Sequence, residues 1–171
     1  MVEPRRQTLE GNAAFIFAAL GDRRGLDVIT AILNDRSYRP EGQGMGTVRW
    51  SLQAQIATDR YYAVHLLREL KDPRAVPDLV AQLQDEEVNY KVAWALGEIG
   101  GEPAVQGLVE ALHDKSPDVR VIAIDALGKL NAKETLPSLR LLLDDNERCH
   151  FAERASVSET APAAITKLEQ R

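Results

Sequence analysis

An internal repeat of about 30 residues constrains the fold of this chain more than any other feature of its sequence. The segment KDPRAVPDLVAQLQD at 71–85 is followed by GEPAVQGLVEALHD at 101–114, and VNYKVAWALG at 88–97 recurs as VRVIAIDALG at 119–128. The first pair shares alanine, two leucines and aspartate at matching positions, namely Ala75 and Ala104, Leu79 and Leu108, Leu83 and Leu112, and Asp85 and Asp114. A unit this short cannot bury its own apolar face, so neighbouring units must stack.

Each unit is predicted to form two amphipathic helices, A and B, because apolar residues recur at helical spacing on both sides of a loop that contains aspartate. The predicted buried stripe of one B helix consists of Val119, Ala123, Ala126, Leu127 and Leu130. Small alanines let neighbouring helices approach closely. Gly97 and Gly128 mark either positions where a side chain would obstruct this packing or the ends of helices.

The same register extends to both ends and predicts a single domain over residues 1–171. Its predicted parts are a lone B-type helix at 8–20 and helical hairpins at 21–70, 71–100, 101–130 and 131–171. Pro162 interrupts the pattern of the last B helix. Because proline is tolerated in the first turn of a helix, we expect this helix to begin near Ser158.

The segments DPRAVPDLVAQL, VAWALGEIG and DVRVIAIDALGKL resemble the HEAT repeat family, in particular the short bacterial variety named after phycobilisome lyases. This resemblance implies an all-α protein, a right-handed α-solenoid of HEAT-like helical hairpins. Solenoids of this type serve many tasks, so the resemblance leaves two functions open. The chain is expected to be a non-catalytic scaffold whose concave helical face and A–B edge loops bind another protein. The alternative is a tetrapyrrole-handling subunit that acts as a bilin lyase or chaperone.

Charge and composition limit the partners and the compartment. The net charge is -5, and residues 71–130 contain eleven acidic and six basic side chains, which disfavours nucleic acid as a ligand. The apolar run at 13–20 is too short to span a bilayer, and GDRR follows it where a signal peptide would have its cleavage site. The only cysteine, Cys149, excludes an intramolecular disulfide. We therefore expect a soluble, cytoplasmic protein.

The exposed faces of the B helices contain the first candidate binding site. At the position before the Ala-Leu pair, successive helices present His65, Trp94 and Asp125, and one turn earlier they present Tyr61, Tyr90 and Val121. Family-typical residues at these sites are polar, so the aromatic side chains in these rows are expected to form a stripe that binds a partner, with Asp125 beside it. The alternative is that the aromatic side chains pack against each other or against the long first loop.

Two insertions between A and B helices form the second candidate. They occupy residues 36–58 and 146–156, and we expect them on one edge of the stack. The first contains Arg39, Arg49 and Trp50, which are candidate partner-binding residues. It is equally compatible with a tolerated excursion that is partly helical from 47 to 57.

No metal, cofactor or catalytic centre is expected. The three histidines, His65, His113 and His150, form no pair at helical spacing, and the chain lacks the His-Glu dipeptides that HEAT-like di-iron hydroxylases require. Cys149 and His150 are adjacent, but no orienting third group is evident in the sequence. The recurring loop aspartates and one arginine are explained by helix capping and a hydrogen-bonded ladder between layers; they are Asp85, Asp114, Asp145 and Arg120.

Overall fold

The computed structural model describes residues 4–36, 52–150 and 156–170, and the regular secondary structure in these ranges is helical. The helices are α1 (Pro4–Ala19), α2 (Arg23–Leu33), α3 (Leu52–Leu70), α4 (Val76–Ala81), α5 (Asn89–Ile99), α6 (Glu102–Ala111), α7 (Pro117–Leu130), α8 (Leu136–Arg140) and α9 (Val157–Glu169). Short 3-10 turns at Pro73–Ala75 and Lys133–Thr135 lead into α4 and α8. Extended pairing in these ranges is limited to one isolated bridge between Arg148 and Ser156. The predicted all-α class is confirmed.

The chain divides into two compact units, Met1–Asp78 and Leu79–Arg171. The predicted grouping into one lone helix and four hairpins stays a prediction. The first helix begins at Pro4 rather than at residue 8, and α3 begins at Leu52. None of the helices in the described ranges is long and apolar enough to cross a membrane.

In the first unit, α1, α2 and α3 pack against one another. The α1–α2 contact is close because Gly25 has no side chain. A Cβ atom built on it would lie only 2.2 Å from the carbonyl oxygen of Ala14. Asp22 caps the start of α2 by accepting a hydrogen bond from the amide of Arg24 at 3.0 Å. At the other end, the buried Arg60 donates its Nε proton to the carbonyl oxygen of Leu33 at 2.9 Å. This bond satisfies one of the carbonyls that a helix terminus leaves without an intrahelical partner.

In the second unit, the three predicted B helices α5, α7 and α9 form successive layers, since α7 packs against both of the others. The predicted buried stripe of α7 is confirmed, with Leu130 half-buried and the remaining members fully buried. A Cβ atom on Gly97 would lie 2.6 Å from Cβ of Ala126, and one on Gly128 would lie 3.2 Å from Cβ of Ala164. The structure therefore selects close packing, rather than helix ends, as the reason for both glycines.

Each of the recurring aspartates in the A–B loops of the second unit forms the same turn. Its Oδ1 atom accepts a hydrogen bond from the backbone amide two residues later, at distances between 2.8 and 3.1 Å. The three pairs are Asp85 with Glu87, Asp114 with Ser116, and Asp145 with Glu147. These carboxylates thus have a structural role, but they form turns and not the predicted helix caps, because the N-cap residues of α5, α7 and α9 are Val88, Ser116 and Ser156.

Arg120 connects two of these loops from a buried position on α7. Its guanidinium donates to Asp145 Oδ2 at 2.9 Å, to Glu147 Oε2 at 2.7 Å and to the carbonyl oxygen of Asp114 at 2.7 Å. Burial disfavours the charged form, but the hydrogen bonds to Glu147 and Asp145 outweigh it and raise the pKa of Arg120. The predicted ladder between layers is thus confirmed at this position.

The last helix begins at Val157 and holds Pro162 in its second turn, so proline does not set its start. A capping box does so instead: Ser156 Oγ accepts from the amide of Glu159 at 3.2 Å, and Glu159 Oε2 accepts from the amide of Ser156 at 2.8 Å. These two reciprocal bonds satisfy amides that would otherwise lack partners.

Candidate functional site

Three side chains on α5 form a cluster of two aromatic rings and one cation. Trp94 is 41% exposed, and Tyr90 and Lys91 are half-buried. The Lys91 Nζ atom lies 5.4 Å from the centroid of the Tyr90 ring and 4.9 Å from that of Trp94. Both distances are within the range of cation–π attraction. We call Tyr90, Lys91 and Trp94 the α5 cluster.

The sequence analysis identified the two aromatic residues of this cluster but missed Lys91. A lysine three positions before a tryptophan on a helix lies on the same face, so this spacing could have revealed it. The aromatic pair is present where predicted, and its role in binding stays a prediction.

Asp125 occupies the position on α7 that Trp94 occupies on α5. It is exposed and forms an ion pair with Lys129 at 2.7 Å, one turn further along the helix. Trp94 lies one turn before Gly97 and Asp125 directly precedes Ala126, so the two residues flank the same close contact between α5 and α7. The surface of α7 next to the α5 cluster is therefore polar at Asp125 and Lys129.

Val121 is a correction to the predicted exposed row, because it is only 7% exposed. It lies on α7, which is flanked by α5 on one side and by α9 on the other. The two flanking helices cover a side chain as short as valine. The half-buried Tyr90 at the equivalent position of α5 is large enough to reach solvent.

Tyr61 and His65 lie on α3, in the first unit, and both are exposed. The ring that contacts His65 is that of Tyr62, with the centroids 5.9 Å apart. Arg68 Nη2 lies 3.0 Å from His65 Nδ1, which must accept this hydrogen bond because a guanidinium has no acceptor. The sequence analysis missed Tyr62 and Arg68, which hold the imidazole in place.

Three predicted partner-binding residues, Arg39, Arg49 and Trp50, lie outside the described residues. Most of the first insertion lies there too. The predicted placement of the two insertions on one edge therefore stays a prediction.

An apolar surface on α1 and α2 was not predicted. Its exposed side chains are Ile16, Phe17, Leu20 and Val28, with exposed fractions between 40% and 79%. Phe17 and Val28 line a groove of about 450 Å³, which we call the α1–α2 groove. Asp22 and Arg24 also line it, and hydrogen bonds from the Arg24 side chain and amide lower the pKa of Asp22. The run at 13–20 contains more apolar residues than one helix face can bury, which is the pattern that predicts such a surface.

Asp118 supplies the third group that the sequence did not reveal beside Cys149 and His150. Its carboxylate accepts from the Cys149 thiol at 2.8 Å and from the His150 amide at 2.5 Å, and its Oδ2 lies 2.7 Å from His150 Nδ1. Thiol and imidazole thus share one carboxylate, and the thiol is buried. This arrangement fastens the loop before α9 to the first turn of α7. Within the described ranges, no group of three histidine, cysteine, aspartate or glutamate side chains is placed to hold a metal ion.

The family model for HEAT repeats matches residues 51–118 and 85–156, which together cover more than half of the chain. The chain belongs to the HEAT repeat family. It is 33% identical over 113 residues to the phycocyanobilin lyase subunit alpha of Picosynechococcus sp., a match that covers 55% of this chain and 42% of that protein. It is 30% identical over 120 residues to the deoxyhypusine hydroxylase of Gallus gallus, which covers 68% of this chain and 38% of that protein.

Among solved structures, the chain is similar to one in the complex of CpcE and CpcF of phycocyanin lyase from Nostoc sp. PCC7120. The TM-score is 0.62 at 20% identity, and the match covers 100% of this chain and 66% of that one. This likeness shows the fold. The chain spans about two fifths of the length of the curated relatives it matches.

Proposed function

We propose that this chain is a bilin-handling subunit that binds an open-chain tetrapyrrole on α5 and has no catalytic centre of its own. The observation that carries the proposal is the α5 cluster, in which Lys91 lies over the rings of Tyr90 and Trp94 at the surface. This proposal replaces a protein-only scaffold as the preferred function.

The ligand class follows from the chemistry of the cluster. An open-chain tetrapyrrole offers conjugated rings that stack on aromatic side chains, together with carboxylates that pair with a cation. Trp94 leaves 41% of its surface exposed, whereas the equivalent position on α7 carries an aspartate. A B helix of this repeat therefore packs without an aromatic residue at this position, and packing alone does not explain the indole.

The relatives support this choice. One is named a phycocyanobilin lyase subunit, and the similar solved structure comes from a complex of two phycocyanin lyase proteins. A hydroxylase activity is disfavoured because the sequence has no His-Glu dipeptide. A subunit role would also explain why the described residues contain no evident reaction centre.

Absorbance titration with phycocyanobilin tests the proposal. We expect saturable binding to the chain, and we expect Trp94→Ala to weaken it roughly 30-fold, the scale of a desolvated aromatic contact. Phe17→Ala, which changes an exposed aromatic residue in the other unit, is the matched control and should bind normally. Absence of saturable binding would overturn the proposal. A loss confined to Phe17→Ala would place the ligand in the α1–α2 groove and refute the α5 site.

The α1–α2 groove favours a second function, the binding of another protein. Phe17 lines the groove and is 54% exposed, and Leu20 on the same apolar surface is 79% exposed. Exposed apolar groups of this size contribute strongly to protein interfaces. Because one relative is named a subunit and the similar structure comes from a two-protein complex, we propose a second repeat-protein subunit as the occupant.

Phe17→Asp tests this second function, with Leu141→Asp in the other unit as the control because Leu141 is 75% exposed. Each variant is used for affinity purification from the cells that make the protein, followed by light scattering of the purified chain. We expect one repeat-protein partner to be retained by wild type and Leu141→Asp and lost from Phe17→Asp. Equal recovery by all three, or self-association that only Phe17→Asp abolishes, would contradict this occupant.

A further inference from the structure

The structure assigns a guanidinium-binding site to a pocket in the second unit, between the A–B loops that follow α4 and α6. The expected ligand is an arginine side chain of a bound polypeptide. The pocket has a volume of about 360 Å³, within the range of ligand sites, and Asn89 at the start of α5 lines it. We call it the Asn89 pocket. This inference is independent of the proposed tetrapyrrole site.

The Asn89 pocket is lined by the counterparts of an ion pair that is present one layer further along the repeat. Arg120 on α7 occupies the position that Asn89 occupies on α5, and Asp145 corresponds to Asp114. The Arg120 guanidinium donates to Asp145 Oδ2 at 2.9 Å. Asparagine is shorter and has no charge, so Asn89 and Asp114 line an open pocket where Arg120 and Asp145 are bonded to each other.

The two loop aspartates differ in one hydrogen bond. In each, the Oδ1 atom accepts from the backbone amide two residues later. Asp145 Oδ2 also accepts from Arg120, whereas Asp114 Oδ2 accepts no hydrogen bond from any residue that the structure describes. Asp114 therefore keeps an open acceptor at the pocket.

Asn89 has an open donor, although it is only 5% exposed. Its Oδ1 atom accepts from the amide of Tyr90 at 2.8 Å, but its Nδ2 atom donates to none of the described residues. A nearly buried amide without a partner favours a ligand that offers an acceptor. A guanidinium has no acceptor, but the backbone carbonyls of a polypeptide do. An arginine within a polypeptide thus supplies both kinds of group.

The charge of the pocket favours a cationic ligand. Three carboxylates line it, those of Glu86, Glu110 and Asp114, together with the single ammonium of Lys115. Lys115 pairs with Glu86, whereas the exposed Glu110 carboxylate makes no hydrogen bond or ion pair with the described residues. A ligand cation can therefore pair with Glu110 and Asp114 without displacing Lys115. The planar fork of a guanidinium matches carboxylates better than an ammonium does, as Arg120 illustrates in this repeat.

Titration of the intact chain with N-acetyl-arginine amide, followed by NMR of the Asn89 side-chain amide, tests the site. N-acetyl-citrulline amide, which has a similar shape and no charge, is the control probe. We expect saturable shifts with the arginine probe and at least about tenfold weaker binding of the citrulline probe, the factor expected for a charge-assisted hydrogen bond. Equal affinities for the two probes, or no saturable shift with the arginine probe, would overturn the inference.

Free L-arginine distinguishes a polypeptide from a small molecule as the source of the guanidinium. Its carboxylate is repelled by the acidic lining of the pocket, whereas an arginine within a polypeptide has no such group. We therefore expect free arginine to bind more weakly than the amide probe. Equal or tighter binding of free arginine would contradict a polypeptide ligand.

Asn89→Arg provides the strongest test, because it supplies the missing guanidinium from the chain itself. The variant should fold and lose binding of the arginine probe, measured through the backbone amides of Asp114 and Lys115. A folded Asn89→Arg variant that binds the probe like the wild type would refute the site. Glu110→Gln tests the same site without altering Asn89 and should weaken binding roughly threefold, the scale of an exposed ion pair. Glu102→Gln, at the exposed start of the same helix, is the matched control and should bind normally. Equal binding by Glu110→Gln and Glu102→Gln would also contradict the inference.

Discussion

Helices α5 and α7 occupy equivalent places in the repeat, but only their interior faces carry matching residues. Their interior faces match, with Leu96 corresponding to Leu127 and Gly97 to Gly128. Their outer faces differ, since Trp94 on α5 corresponds to Asp125 on α7. Interior positions must meet a neighbouring layer and are fixed by packing, whereas outer positions are free to vary. The outer differences are therefore where a specific binding function is expected.

The largest expected effect tests the equivalence of the two interiors. Leu127→Ala and Leu96→Ala each remove a side chain that has no exposed surface. We expect each to lower the free energy of unfolding by about 2–5 kcal/mol through lost burial and the resulting cavity. Urea unfolding followed by circular dichroism measures both. A loss below about 1 kcal/mol at either position would mean that the two layers are not packed alike.

Arg120 and the equivalent Asn89 are both buried, but they make different bonds. Asn89 accepts from the amide of Tyr90 at 2.8 Å, whereas Arg120 joins Asp145 and Glu147 to α7. Arg120→Ala should cost about 2 kcal/mol because Asp145 loses its cation in a partly buried place. Asn89→Ala should cost less. Equal losses in urea unfolding would show that the ion pairs add nothing to the ladder.

The two helix-contact glycines give a finer comparison. A methyl group at Gly97 would lie 2.6 Å from Cβ of Ala126, whereas one at Gly128 would lie 3.2 Å from Cβ of Ala164. Gly97→Ala should destabilise the protein by about 1–2 kcal/mol, because overpacking exceeds the helix-propensity gain of alanine. For Gly128→Ala the two effects should nearly cancel. Thermal melting distinguishes them, and the reverse order would contradict the two spacings.

Trp94→Ala should lower the free energy of unfolding by only about 1 kcal/mol, since the indole is already partly exposed. Asp125→Ala, its counterpart on α7, should change stability by about 0.5 kcal/mol or less, because its exposed ion pair contributes little. Chemical unfolding measures both. A loss near 3 kcal/mol for Trp94→Ala would identify the indole as part of the core and weaken its assignment to ligand binding.

The smallest effect concerns α9, the third helix of the series, where Glu159 occupies the place of Tyr90 and Val121. Hydrogen bonds from the Ser156 amide and hydroxyl lower the pKa of Glu159 below its ordinary value of 4.5. A carboxyl group whose pKa is lowered by folding stabilises the folded state above its unfolded pKa. This contribution is lost as the pH falls through the folded pKa.

Glu159→Gln isolates that contribution, because glutamine keeps the capping box and does not titrate. Relative to this variant, the wild type should lose stability as the pH is lowered from 6 to 3. Urea unfolding at several pH values measures the difference. A constant difference across this range would show that the cap does not depend on the charge.

The sequence predicted the interior of the repeat well. The all-α class and the buried stripe at Val119 and Leu127 are confirmed, and the loop aspartates have a structural role, although they form turns and not the predicted helix caps. These features depend on periodicity and on bonds between near neighbours, both of which can be inferred from a linear sequence. The two glycines were also identified, but the sequence left close packing and helix ends as alternatives.

Features that depend on tertiary neighbours were predicted less well. Val121 was wrongly placed at the surface because its burial depends on two flanking helices. Asp118 was missed as the partner of His150, since 32 residues separate them along the chain. Lys91 was missed because it occupies neither of the two repeat positions predicted to be exposed, those of Tyr90 and Trp94.

The bond between Cys149 and Asp118 has a practical consequence for reaction chemistry. The chain contains one cysteine, its thiol is buried, and that thiol donates a hydrogen bond to a carboxylate. The thiolate is the form that attacks maleimides and aromatic disulfides, so these reagents should label the folded protein slowly and the denatured chain quickly. The rate of labelling then reports how often the loop before α9 opens, without any engineered probe. For fluorescent labelling of the native protein, a second cysteine at an exposed position would react first and leave Cys149 unmodified.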